Sequence, residues 1–252
     1  DIESYKSKSE ENIVISTEDI TRIKEESNFI NEPAAQLVFA DDKQISQKIL
    51  PKEFINKGVI YLSISEALEK CPELLKSYFL KRSTKLGSEK YFGLHASLVK
   101  SGSLIYVPSN VEIENPIVNY YWLNNKDCTQ FPHTLVIAEP NSKVSVIDVY
   151  KSSNKVNEGL NISVCNLYAK EGSKINRNVI QDFNLNVNSF QLDLVVADNN
   201  AEVKNIAVNL GSKKARYENE IEINGSGTKV NTDSVSIAES SQELDQRTFQ
   251  TH

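Results

Sequence analysis

Thr134–Val230 contains one short phrase written several times: TLVIAEPNSKV ending at Val144, NLYAKEGSKI at Ile175, LVVADNNAEV at Val203, and a looser EINGSGTKV at Val230. Each copy runs an apolar stretch into a polar corner and leaves it through a β-branched residue. The end points are 31, 28 and 27 residues apart, a near-constant period that predicts stacked units. Between the corners the pattern has period two. Phe190, Leu192, Leu194 and Val196 alternate with Gln191, Asp193 and Val195; Ile206, Val208 and Leu210 alternate with Ala207 and Asn209; Tyr217, Asn219, Ile221 and Ile223 alternate with Glu218, Glu220 and Glu222. This spacing predicts strands with one buried and one wet face. Several short strands per ~30-residue unit suit one coil of a β-solenoid; a β-sandwich with similar strand lengths is the alternative. The asparagines at 161, 166, 176, 178, 184, 186, 188, 205 and 209 are expected at coil corners or in stacked ladders, because Asn tolerates left-handed backbone.

Working outward, residues 1–15 are charged and expected to fray. Thr17-Glu18-Asp19 opens a short helix with Ile20 and Ile23 on one face. Leu37–Ile45 reads as a hairpin turning at Asp41-Asp42, and Val59–Ile64 as a strand. Ser63 and Glu66 form a capping box, and Pro72 either kinks that helix or opens another. Ser88 is expected to cap a further helix with Tyr91, Phe92, His95, Leu98 and Val99 on one face, broken at Ser101-Gly102. The expected organisation is mainly β: residues 1–100 a mixed α/β cap, residues 101–252 a parallel β-helix left incomplete at its C-terminal end.

The 252 residues carry 34 acidic and 28 basic side chains, net −6, with no basic cluster of the kind nucleic acid requires. No apolar run approaches the ~18 residues of a membrane span. Three unevenly spaced cysteines point to a reducing compartment, hence the cytoplasm. No signal-peptide pattern opens the sequence and it lacks Met, so its start is expected to be missing or removed, and the natural protein to continue beyond His252.

Four segments in order carry a family resemblance: GVIYLSISEALEKCPELLKSYF (58–79), SGSLIYVPSNVEIENPI (101–117), FPHTLVIAEPNSKVSVIDVY (131–150) and ELDQRTFQTH (243–252). Across residues 37–252 the chain resembles the SufB/SufD family of iron–sulfur cluster assembly proteins. VFADDKQI followed by LPKEFINKGV, together with DQRTFQTH, makes it more like SufD; SISEALEKCPELLKSYF would also suit SufB. The resemblance implies a right-handed parallel β-helix flanked by helices. It also implies a non-catalytic scaffold that pairs with a SufB-like subunit, is held by a SufC-like ATPase, and assists iron entry and cluster assembly. The cluster and ATP belong to the whole complex, with no cofactor bound by this chain alone; pairing of two copies through β-helix edges is a further route. The family's SufC-binding helical region lies C-terminal to everything that matches, so no site residue is carried over from it.

Cluster ligation needs thiolates or imidazoles converging on iron. Cys128, His133, Cys165 and His252 are the weak candidates. Cys128 and His133 sit five residues apart, but a lone pair is thin evidence for a metal. Cys165 is expected on the strand face opposite Ile162 and Val164 and, like Cys71, reads as a structural thiol. Lone His95 reads as a core histidine. No phosphate-binding Gly loop or nucleophile elbow appears, so no catalytic residue is assigned. Glu218, Glu220 and Glu222 read as a solvated face, and Trp122 with Tyr120 and Tyr121 as closing the β-helix end. The competing function is a secreted β-solenoid carbohydrate-active enzyme or adhesin.

Overall fold

The computed structural model describes residues 14–252, so the expected fraying of residues 1–15 falls, for 1–13, outside the described residues. Helix α1 (Thr17–Glu26) precedes the hairpin β1 (Ala35–Ala40) and β2 (Lys43–Lys48). After α2 (Lys52–Asn56) come β3 (Ile60–Ser63), α3 (Ile64–Lys70), α4 (Pro72–Tyr78) and α5 (Glu89–Leu98). Strands then take over: β4 (Gly102–Val107), β5 (Ile117–Leu123), β6 (Asp127–Gln130), β7 (His133–Ala138), β8 (Lys143–Ser152) and β9 (Glu158–Ala169). The remainder is β10 (Lys174–Asp182), β11 (Val187–Ala197), β12 (Glu202–Asn209), β13 (Lys214–Ile223), β14 (Lys229–Ser236) and β15 (Glu243–Thr251).

These strands form a β-solenoid of about five turns. One sheet runs β14-β12-β10-β8-β5-β1-β2 and the other β15-β13-β11-β9-β7-β4-β3, with β6 also pairing β9. All neighbours are parallel except β1–β2 and β3–β4, which are antiparallel pairs at one end of each sheet. Parallel pairing follows from the repeat, because each coil returns to the same sheet in the same direction. The four phrase ends are stacked in register: Val144 on Ile175, Ile175 on Val203, Val203 on Val230.

Three residues before each phrase end the backbone turns left-handed, at Asn141 (φ 58), Gly172 (φ 65), Asn200 (φ 55) and Gly227 (φ 71); Asn110 (φ 62) starts the column. From Asn141 onward Gly alternates with Asn, and the two glycines have a steric reason. A Cβ on Gly172 would strike the Asn141 side-chain oxygen, and one on Gly227 that of Asn200. The asparagines expected at corners lie mostly in strands instead; Asn161, Asn166, Asn205 and Asn209 are buried within β9 and β12.

The interior is one continuous apolar cluster between the sheets, containing Val144, Val146, Ile175, Val179, Val203 and Ala207. The one-wet-face expectation holds for β8 except at Val149: inward Val144, Val146, Asp148 and Tyr150 are buried and outward Lys143, Ser145, Ile147 and Lys151 are half-buried, while outward Val149 is covered. It fails for β9 and β11, buried almost throughout, because helix α5 covers their outer face: Tyr91, Phe92, Leu94 and Leu98 pack on Ile162, Val164, Phe190, Leu192 and Leu194. In β12 the expected faces are exchanged. Register with Val203 turns Asn205, Ala207 and Asn209 inward, leaving Ile206 and Leu210 outside at 38% exposure each.

Ser16 caps α1, and Ile23 is buried beneath it. The hairpin turns with positive φ at both Asp41 and Asp42. The Ser63–Glu66 capping box is present, and Pro72 opens α4 as a separate helix. Helix α5 ends at Leu98 with Val99 as its C-cap, before Ser101-Gly102. Gly102 (φ 136) lets its backbone lie on that of His133, where any Cβ would collide. Trp122 and Tyr120 do not close an end of the solenoid. They face outward from β5 under α1, with Trp122 Nε1 donating to Ser27 Oγ at 3.0 Å. Tyr121 points inward and stacks between Phe39 (5.4 Å) and Tyr150 (5.1 Å).

Candidate functional site

The solenoid brings chemistry-bearing side chains together in three places, and the four candidate ligands do not share one. Cys128 is half-buried in β6 against the interior cluster, and its thiol lies beside the Asp41 carboxylate. His133, at the start of β7, turns to the opposite face. Its Nδ1 lies 3.1 Å from Nε2 of His95, whose Nδ1 is 2.9 Å from the Ile162 carbonyl oxygen. A carbonyl only accepts, so His95 donates from Nδ1 and accepts at Nε2 from His133, a neutral pair with fixed tautomers. Burial lowers the His95 pKa to about 4 and holds His133 well below its ordinary value, with His95 adding to the effect. Phe79 sets its ring edge-on to His133 at 4.6 Å. The core reading of His95 therefore describes both imidazoles.

Cys165 lies inside the solenoid, on the face opposite Ile162 and Val164, as the alternation implied. Burial pushes its thiol well above the ordinary value; Arg177 opposes the shift, and Asp193 and Asp148 add to it. A thiol held protonated is a poor ligand and a poor nucleophile. His252 is exposed after β15. Among the described residues no group of three or more His, Cys, Asp or Glu is placed to hold a metal ion.

Around Cys165 runs a polar network that the alternation argument missed. Arg177, fully buried in β10, donates from Nε to Asp148 Oδ2 at 2.9 Å and from one terminal nitrogen to Asp193 Oδ2 at 2.6 Å. Its other terminal nitrogen stands 2.7 Å from Asp148. Asp193 also accepts from the Tyr217 hydroxyl (2.7 Å) and the Asn205 amide (2.9 Å). Asp148 accepts from Asn119 (2.8 Å), whose oxygen accepts from the Tyr61 hydroxyl (2.9 Å). Burial alone would lower the Arg177 pKa, but Asp193, Cys165 and Asp148 outweigh it and hold the guanidinium charged. A signal was present in the sequence: Arg177 lies two residues past Ile175, in phase with inward Val146 and Asn205.

On the outer face of the β11 sheet, Glu218 and Glu220 are buried rather than solvated. The segment 82–88, between α4 and α5, lies across them as a strap. Glu220 accepts from the Thr84 hydroxyl, the Lys85 N–H (2.5 Å) and the Leu86 N–H (3.1 Å). Glu222 pairs with Arg82. Ser88, expected to cap α5, makes no side-chain cap and donates to Glu218 at 2.5 Å instead. Period-two acids read as a wet face unless a segment 130 residues away covers them.

The SufBD core domain of SUF-system FeS cluster assembly matches residues 121–252, and the SufBD protein N-terminal region matches residues 28–118. An iron–sulfur cluster assembly SufBD family protein of Pyrococcus horikoshii is 29% identical over 168 residues, 67% of this chain and 37% of the relative. Iron–sulfur cluster assembly protein SufD of Bacillus subtilis is 36% identical over 104 residues, 41% and 24% respectively. A SufBD family protein of Staphylococcus haemolyticus is 27% identical over 190 residues, 75% and 40%. The chain thus spans well under half the length of these curated relatives.

Proposed function

The chain belongs to the SufB/SufD family of iron–sulfur cluster assembly proteins, and from that premise we propose that it is a SufD-like, non-catalytic scaffold subunit. On this reading it pairs with a SufB-like subunit, is served by a SufC-like ATPase, and assists iron acquisition and cluster assembly in the cytoplasm. The cluster is cargo of the assembled complex, and ATP is the ATPase's substrate. The observation that carries the reading is the match of both family regions along one parallel β-solenoid. Stacked coils of this kind present extended surfaces on which partners dock.

The chemistry of the interior agrees with a scaffold. The His95–His133 pair is neutral, the Cys165 thiol is held protonated, and Arg177 is committed to two carboxylates. The 36% identity to a protein named SufD favours the SufD-like side. No helix among the described residues is long and apolar enough to cross a membrane. The carbohydrate-active or adhesin alternative draws no support from the family match. Co-expression of the full-length protein with tagged SufB-like and SufC-like subunits tests the proposal: recovery of a three-component complex is expected, and a full-length protein that ignores both overturns it.

A further inference from the structure

The corner between β13 and β14 carries an extra residue. Residues 139–142, 170–173 and 198–201 join the strands at three earlier corners, and 224–228 join them here. Hydrogen bonds identify the insertion as Gly225. The Asn224 N–H donates to the Ala197 carbonyl, as Asp198 does to Ala169 and Lys170 to Ala138, each at 2.9 Å. The Ser226 carbonyl accepts from Asn200, as those of Asn199 and Glu171 accept from Gly172 and Asn141, again at 2.9 Å. Gly225 falls between the two matched stations. Its backbone lies on that of Asn199, where any Cβ would collide.

The insertion leaves the sequence's one Asn-Gly step untied. At the earlier corners an N–H three residues on closes the turn: Ser142 on Glu139 (3.1 Å), Ser173 on Lys170 (2.9 Å) and Ala201 on Asp198 (3.2 Å). Among the described residues nothing closes on Asn224, the Gly225 N–H makes no hydrogen bond, and neither does the Asn224 side chain, which is exposed. Asp198 and Lys170 hold the same station with a coil stacked on either side and are only half-buried, so this position meets solvent within the stack as well. Asn141 and Asn200 differ: the N–H that follows each is the closing donor of its corner, and Asn141 also donates to Asn110 at 3.4 Å.

We propose that Asn224-Gly225 is a self-deamidation site of the folded protein, whose product loosens the corner it stands in. The Gly225 amide nitrogen gives its proton to solvent base and attacks Asn224 Cγ. The Cγ–Nδ2 bond breaks and ammonia leaves; water then opens the cyclic imide to aspartate or isoaspartate. Ammonia is exchanged for water, and nothing is oxidised or reduced. The new carboxylate lands beside Asp198, whose pairing with Lys170 (3.5 Å) it contests, and like charges on neighbouring strands repel. The isoaspartate branch also lengthens the main chain within a corner tied to the previous coil by the Ser226 N–H on Asn199 Oδ1 at 2.9 Å. The site does not depend on the scaffold reading. The test ages this chain, folded, at mildly alkaline pH, with peptide mapping by mass spectrometry and enzymatic isoaspartate methylation. Asn224 should convert at least about tenfold faster than Asn141 and Asn200, whose reactive N–H must first leave a hydrogen bond. Amide exchange in 198–201 and 224–228 should rise with conversion, and should stay unchanged in an Asn224→Gln chain aged alongside, a change at an exposed position. An Asn224 that converts in urea but not in the folded chain, conversion of Asn141 or Asn200 at the same rate, or conversion that leaves exchange unaltered would each overturn the proposal.

Discussion

Two adjacent carboxylates at the β1–β2 turn show how a residue's environment sets its titration. Asp41 accepts from the Asn124 N–H (2.8 Å) and from the Asn125 N–H (3.1 Å) and side chain (2.7 Å), tying the turn to the loop after β5. Asp42 accepts from the Ser101 hydroxyl and the Phe131 N–H (3.3 Å). Burial nevertheless pushes Asp42 up from 3.8 to about 6; the two donors oppose the shift and Asp41 adds to it. A carboxyl whose folded pKa is raised contributes its full stability below the unfolded value near 3.8 and loses it as pH rises through about 6. Asp42→Asn keeps an acceptor oxygen for both donors and tolerates the positive φ. Its stability relative to the parent should be flat below pH ~4, rise between pH ~4 and ~6, and settle about 1–2 kcal/mol in the variant's favour, discounted for partial exposure. Urea midpoints across this range check it; a difference independent of pH would show that Asp42 does not titrate in the window.

At the scale of elements, what local sequence reveals depends on whether the partner is local. Corners were legible because the left-handed residue stands at fixed distance from each phrase end. Helix starts were legible at Ser63, where the capping box is self-contained, but not at Ser88, whose hydroxyl turns to Glu218. The faces of β12 were misread because Ile206, Val208 and Leu210 are more apolar than Asn205 and Asn209, and only stacking on β10 decides which set turns inward. Glu218 and Glu220 were misread because their cover arrives from the segment before α5. That strap hangs mainly on Glu220, which satisfies one hydroxyl and two backbone N–H groups. Removing the acceptor strands those donors, at about 1–3 kcal/mol. Glu220→Ala should therefore speed amide exchange in residues 82–98 while β9 and β11 stay protected, since local opening follows the weakest contacts. Unchanged exchange in 82–98 would show that α5 packing alone holds the strap.

Across the whole molecule, adjacency in a solenoid is mostly between neighbouring coils, so anything tying several coils bears on global stability. The Arg177 network does this: its members come from β3, β5, β8, β10, β11, β12 and β13, drawn from both sheets. The repeat was visible in the sequence and its phase puts Arg177 on the inward face, but its two carboxylate partners were not legible, because periodicity does not say which side chains meet across coils and sheets. Such a cluster need not stabilise more than apolar packing would, since desolvation offsets much of the attraction. What it does create is a large penalty for incomplete removal. Arg177→Met leaves Asp148 and Asp193 buried without a cation and should cost about 3–5 kcal/mol in denaturant unfolding. Lys214→Met, which breaks the exposed pair with Glu243 (2.8 Å), should cost less than about 1 kcal/mol. Adding Asp148→Asn and Asp193→Asn to Arg177→Met removes the orphaned charges and should recover much of the loss. If Arg177→Met instead unfolds at the parent's midpoint, the two carboxylates are not charged inside the solenoid and the network does not tie the coils together.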